Sequence, residues 1–257
     1  MDKMKLWLLL TGLFIALTFS GCGLLVRNRM TNHHGIEQND YNLPVIVYPT
    51  ANIFSKRILF LFSGDGGWLE FEDRLATEYT KKGFYVIGFN SRSYFWSQKT
   101  PQETADDVFL LIDKYNALYK TNRIFLCGFS FGADVVPFIY NGLPERIRDK
   151  IVAVQLLSPF SSSDFKVHTS DLLNIAGDNR LYKVAPEVEK IDVPVYCFYG
   201  KAEEVKPLSE LKMSNFKLTI VPGAHRYDES AYAKIVASLR PKRFLGRQLS
   251  LISLGKI

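Results

Sequence analysis

The sequence predicts an α/β fold, a mostly parallel sheet with helices on its faces, and three observations predict it. From Asn42 onward, short runs rich in Val, Ile, Phe and Tyr alternate with segments of helical period, as in strands joined by crossover helices. The 257 residues are 47% hydrophobic, 14% aromatic and only 23% charged, which excludes a disordered or coiled-coil chain and leaves apolar side chain for a sizeable core. A Gly-x-Ser-x-Gly run, Gly128 to Gly132, joins a strand to a helix without a gap. Length alone permits one α/β domain or two small ones.

The chain begins with Lys3 and Lys5, an uncharged apolar run from Leu6 to Leu17, and then Ser20 and Gly21 before Cys22, the layout of a signal peptide over 1–21. Phe19-Ser20-Gly21-Cys22 resembles a bacterial lipobox with Phe19 where Leu is usual, so Cys22 is the candidate lipidated residue. A membrane-spanning helix is the alternative, because the 21 residues from Leu6 to Val26 carry no charge. Either reading exports the domain, which is expected in the periplasm, held to the bacterial cell envelope. Residues 22–43, polar from Arg27 onward, read as a lipidated tether. Their His33-His34 pair lacks a nearby third ligand for a metal, and no cofactor is implied.

Residues 44–239 read as one domain. Strands are expected near 44–48, 57–63, 84–89, 123–128, 151–158, 193–199 and 216–221, where apolar runs are bounded by turn residues. Helices fill 70–82, 102–119, 131–141 and 228–239; Thr100-Pro101 with Glu103 opens the second, and Pro241 ends the last. The stretch 161–190 is too long for a plain connection and is expected to be an inserted lid.

The net charge of +6 disappears when it is located. Five cations stand in the tail 240–257 and two at the amino terminus, whereas 22–239 holds 25 basic and 25 acidic residues. No basic field marks the domain as a nucleic-acid binder. The basic, leucine-rich tail either lies on an anionic bilayer or simply frays. Cys127 and Cys197 fall within apolar strands and are expected to be buried thiols.

The chemistry is concentrated at turns that follow strands. Gly128-Phe129-Ser130-Phe131-Gly132, between a strand and a helix, is the context of a nucleophile elbow, with Ser130 exposed in a tight turn. A serine hydroxyl needs a base, and His225, just past the last strand, is the histidine placed to serve; His33 and His34 lie in the tether and His168 in the insertion. The acid that orients the imidazole is expected in the turn after the strand ending at Tyr199, with Glu203 chosen and Glu204 as the alternate. Oxyanion donors are expected from the Phe131 N–H and from the glycine-rich loop Ser63 to Trp68, where Asp65 supplies the second. That loop lacks the Lys-Ser/Thr of a phosphate-binding loop. Asp65 and Asp134 stand close in sequence to these donors, and Tyr94, Phe95 and Trp96 follow a strand, so Asp134, the three aromatics, Gly66 and Trp68 are candidate substrate contacts. Helix-turn chemistry for Asp134 and core packing for the aromatics are equally compatible with their positions.

Together these stretches resemble the VirJ/AcvB family of bacterial virulence proteins. The resemblance rests on Ser63-Gly64-Asp65-Gly66-Gly67-Trp68, Tyr94-Phe95-Trp96 with Thr100-Pro101, Gly128 to Val135, Pro186-Glu187, Tyr199-Gly200 with Glu203-Glu204, and Pro222-Gly223-Ala224-His225. It implies an exported α/β-hydrolase that removes the amino acid from lysyl-phosphatidylglycerol, and the single-domain length is similar to VirJ rather than AcvB. Ser93 stands where the family has Arg, with Arg92 one place earlier, and Gly223-Ala224 replaces a double glycine. The expected activity is therefore ester cleavage by Ser130, His225 and Glu203 through an acyl-enzyme, with an aminoacylated phospholipid as substrate. The alternatives are an esterase or lipase with another acyl group, or a non-catalytic periplasmic adaptor for envelope or secretion-system proteins.

Overall fold

The computed structural model describes residues 26–168 and 180–239. Its centre is an eight-stranded sheet of β1 (Ile36–Asp40), β2 (Leu43–Tyr48), β3 (Arg57–Phe62), β4 (Tyr85–Phe89), β5 (Arg123–Phe129), β6 (Ile151–Leu157), β9 (Val195–Gly200) and β10 (Phe216–Val221). The order across the sheet is β1-β2-β4-β3-β5-β6-β9-β10. β1 and β2 run antiparallel to their neighbours, and every other pairing is parallel. The remaining strands, β7 (Ser162–Ser163) and β8 (Tyr182–Lys183), form a small antiparallel ribbon.

The central strands are almost continuous apolar runs, broken in β6 by buried Gln155, because both faces of the sheet are covered. On β3, Ile58, Phe60 and Phe62 point into one core and Leu59 and Leu61 into the other. The first core is closed by α3 (Pro101–Tyr119) and α4 (Phe131–Gly142), and the second by α1 (Glu70–Lys81) and α7 (Glu229–Ser238). Three short helices, α2 (Ser91–Tyr94), α5 (Glu145–Arg148) and α6 (Val184–Val188), complete the described chain. α3 begins as its sequence predicts, with Thr100 and Glu103 exchanging capping hydrogen bonds and Pro101 in the first turn. Cys127 and Cys197 are free and buried, and burial pushes both thiols up.

The reading of 22–43 as a tether is corrected for its second half. β1 pairs with β2 across a two-residue turn in which Tyr41 and Asn42 take φ of 55° and 61°. Four of its five side chains are exposed, so this edge strand carries no apolar alternation to reveal it. Ahead of it, residues 26–34 lie on the domain: Thr31 N–H donates to the Trp68 carbonyl at 3.1 Å, and Trp68 N–H to that of Arg29 at 3.1 Å.

Of the stretch 161–190, residues 169–179 lie outside the described residues, and its two flanks are anchored to the core through Phe165 and Val184, while Leu181 stays exposed. Phe165 is fully buried against Phe95, Phe138 and Tyr182. The signal segment 1–21, Cys22 and the tail 240–257 also lie outside the described residues, among which no helix is long and apolar enough to cross a membrane.

Candidate active site

β5 ends at Phe129 and α4 begins at Phe131, leaving Ser130 alone to turn the chain. It does so at φ 53° and ψ −122°, a conformation costing on the order of 1–3 kcal/mol that the surroundings must impose. The flanking glycines explain how. A Cβ at Gly128 would lie 2.2 Å from the Gly132 carbonyl oxygen, and one at Gly132 would lie 2.4 Å from that of Phe62. Only backbone without side chains packs a strand-to-helix turn this tightly. Ser130 N–H donates to the Leu157 carbonyl at 2.8 Å, and its own carbonyl accepts from Ala133 and Asp134.

His225 reaches Ser130 from the loop after β10. Its Nε2 is 2.9 Å from Ser130 Oγ and its Nδ1 is 3.1 Å from Glu203 Oε2. The approach depends on Gly200, where a Cβ would meet the Ala224 carbonyl oxygen at 2.1 Å. Glu203 Oε1 accepts from Ser158 Oγ at 2.7 Å and from Gly200 N–H. Burial pushes the Glu203 carboxyl up, but hydrogen bonds from His225, Ser158 and Gly200 outweigh it and hold the carboxyl below its ordinary value. An ionised carboxylate only accepts, so Nδ1 carries the imidazole proton and Nε2 presents a lone pair to Ser130. Glu204 is exposed and makes no such contact.

The glycine-rich loop lies against the same serine, since a Cβ at Gly64 would be 3.4 Å from Ser130 Cβ. Buried Glu72 on α1 holds the loop by accepting from Gly64 N–H at 3.3 Å and Leu69 N–H at 3.1 Å. Burial drives the Glu72 carboxyl up despite these donors. Arg92, also buried, donates to the Asp65 carbonyl at 3.3 Å and to the Val26 carbonyl at 2.9 Å.

Several candidate substrate contacts belong elsewhere. Trp68 and Phe95 are 0% exposed and Tyr94 is 6% exposed, so all three rings sit in the core. Trp68 Nε1 donates to Tyr48 Oη at 2.8 Å, and Tyr94 Oη donates to Asp107 at 2.6 Å. Asp134 is buried, and its Oδ1 accepts from Phe160 N–H at 2.6 Å, which ties α4 to the strand end rather than facing a ligand. These residues follow strand ends, but their side chains turn inward, a choice that spacing cannot reveal. Trp96 is half-buried beneath the Arg92 guanidinium, and Asp65 and Gly66 remain partly exposed.

Two contributors escaped the sequence reading. Ser158, at φ 51° just past β6, links Glu203 to Tyr227 Oη, which lies 2.7 Å from its hydroxyl and donates to the Phe198 carbonyl. Phe160, 42% exposed, places its ring 5.3 Å from the imidazole. Their position just past a strand of the parallel sheet was the available signal. Among the described residues no three His, Cys, Asp or Glu side chains gather as metal ligands. A cleft of about 650 Å³ beside Arg27, Tyr41 and Tyr94 includes none of Ser130, His225 and Glu203.

The same architecture recurs among solved structures. The chain is similar to Est1E from Butyrivibrio proteoclasticus at 18% identity over 79% of this chain and 95% of that one, with a TM-score of 0.56. It is similar to the Pyrococcus furiosus esterase Pf2001 at 17% identity over 82% and 94%, with a TM-score of 0.56. The enol-lactonase from Burkholderia xenovorans LB400 aligns at 12% identity over 79% and 97%, with a TM-score of 0.57. At such identities these likenesses establish the α/β-hydrolase fold. No curated protein matches the sequence. The family model described as bacterial virulence protein (VirJ) matches residues 56–242, a span that takes in Ser130, Glu203 and His225. Since that span is well over half of the chain, the protein belongs to the VirJ family.

Proposed function

We propose that this protein is a serine hydrolase that cleaves an ester, the aminoacyl ester of lysyl-phosphatidylglycerol, through an acyl-enzyme. The observation that carries the reading is the continuous line of hydrogen bonds from Ser130 Oγ through His225 to Glu203, each link 2.9–3.1 Å. As Oγ attacks the ester carbonyl carbon, Nε2 takes the hydroxyl proton and Glu203 stabilises the resulting imidazolium. The carbonyl oxygen becomes an oxyanion facing the N–H groups of Phe131 and Asp65. Collapse breaks the C–O bond, and the imidazolium returns its proton to the departing glycerol oxygen of the lipid. Water, deprotonated by the same nitrogen, then releases lysine and restores Ser130.

The hydrolase fold and VirJ membership support the class of reaction, and the family resemblance supports the lipid substrate. Asp65, partly exposed beside the site, is the carboxylate that faces the cationic amino acid. The test is turnover of purified full-length protein on lysyl-phosphatidylglycerol together with labelling by a serine-reactive fluorophosphonate. Wild type is expected to release lysine and to label. Ser130→Ala is expected to do neither, with the rate falling at least about 10³-fold while the circular dichroism spectrum is unchanged. Unlabelled wild-type protein would instead identify an adaptor on a hydrolase scaffold. Labelling with turnover only on other lipids would transfer the substrate assignment to an esterase or lipase.

A further inference from the structure

We propose that the mouth of the active site faces the lipid bilayer, held there by the segment that joins the domain to its membrane anchor. The proposal rests on residues 1–22 being an export signal and anchor. It holds whether Cys22 is lipidated or Leu6 to Val26 spans the membrane. The argument starts at Val26, whose carbonyl accepts from Arg92 Nε at 2.9 Å. The same guanidinium donates to the Asp65 carbonyl in the glycine-rich loop, and that loop lies against Ser130. Arg27 Nε donates to the Ser93 carbonyl at 3.1 Å, and Asn90 Nδ2 to Asn28 Oδ1 at 3.1 Å, so consecutive residues of the segment are fixed to α2 and its N-cap, just after β4.

Cys22 stands four Cα-to-Cα steps before Val26, and a fully extended chain spans at most about 3.6 Å per step, so the anchor point stays within about 14 Å of this rim. A tether that leaves from the mouth cannot turn the mouth far from the bilayer. The opposite pole, where Lys56, Lys120 and Asn122 meet at the amino-terminal ends of the parallel strands, is separated from it by the length of those strands.

The rim carries apolar and cationic side chains, but the opposite pole also exposes Ile53 (71%) and Phe54 (83%), so it is the attachment of the tether that selects the rim. Val26 is 47% exposed, Phe160 beside the imidazole 42%, and Val205 on the loop carrying Glu203 64%. Arg27 and Arg226 are also exposed here, and Arg226 Nη2 would lie 3.7 Å from a Cβ at Gly66. Arg226 lies within electrostatic reach of buried Glu72, and its guanidinium is exposed at the rim where an anionic headgroup can meet it. Exposed apolar side chains interleaved with exposed cations suit the boundary between headgroups and acyl chains.

The experiment uses full-length protein purified from membranes and reconstituted into vesicles of phosphatidylethanolamine and phosphatidylglycerol that carry nitroxide-labelled headgroups. A fluorophore is placed on Val205→Cys or Phe160→Cys at the rim, or on Lys120→Cys at the opposite pole; buried Cys127 and Cys197 do not compete, and any label on Cys22 is read from identically treated wild type and subtracted. Emission from both rim labels is expected to be quenched and that from the Lys120 position retained. Equal quenching at the two poles, quenching at Lys120 alone, or none at either would overturn the orientation. Turnover of a water-soluble ester by unlabelled wild-type protein in the same vesicles reports on catalysis separately, because a label at Phe160 stands against the imidazole. Rim quenching without turnover removes the hydrolase assignment and leaves the orientation standing, and turnover with the wrong quenching pattern does the reverse.

Discussion

Ser130 is held at φ 53° by backbone packed against its flanking glycines, and its hydroxyl there meets a lone pair on His225. Glu203 decides which nitrogen carries that lone pair. Glu203→Gln removes the ionised acceptor, and its kcat on a soluble ester is expected to fall by about 10³–10⁴-fold, as when the acid of such a triad is neutralised. Glu204→Gln is expected to stay within about twofold, in line with the near-neutral behaviour of exposed side chains. A reversed ranking would reassign the acid. The depressed carboxyl of Glu203 also has a consequence for stability with a definite sign. A carboxyl held below its ordinary value of 4.5 stabilises the folded state fully above that value, and the contribution is lost as pH falls through the folded one. The stability advantage of wild type over Glu203→Gln in urea unfolding should therefore be present at pH 7 and shrink steadily below about pH 4.5.

At the scale of elements, the segment 26–40 is a strap across the glycine-rich loop beside the candidate active site. Gly67, at φ 98°, passes so close to it that a Cβ would lie 2.2 Å from the Arg29 carbonyl oxygen. Asp73 on α1 anchors the strap through His34 N–H and Nδ1, each at 2.7 Å, and also accepts from Tyr48 Oη at 2.7 Å. Burial pushes the Asp73 carboxyl up, but these partners bring it below its usual value. Gly67→Ala must displace either strap or loop, so it is expected to cost about 1–3 kcal/mol in thermal unfolding and to lower turnover as well. Loss of stability with unchanged kcat would separate the strap from the site.

For the whole molecule, the two cores on opposite faces of the sheet are closed to solvent, and the free thiols report it. Cys127 and Cys197 are both 0% exposed, and burial raises their titration far beyond neutral pH. Neither is expected to react with an aromatic disulfide reagent in the folded protein, and both should react at the rate of unfolding when denaturant is added. Fast reaction of one thiol without denaturant would reveal local opening of β5 or β9.

The sequence by itself determined the parallel sheet, because strands buried on both faces must be apolar almost throughout, and it determined the elbow, because only Gly128 and Gly132 leave room around Ser130. It also placed His225 and the Glu203-Glu204 pair after the right strands. Tertiary structure alone decided between the two glutamates, since adjacent residues in a turn point in different directions and only Glu203 meets the imidazole. It also sent Trp68, Tyr94 and Phe95 inward, and it found Ser158, whose role arises from contacts 45 and 69 residues away along the chain. β1 was invisible for a related reason: a polar edge strand is held by its backbone ladder with β2, and backbone hydrogen bonds leave no pattern in side chains.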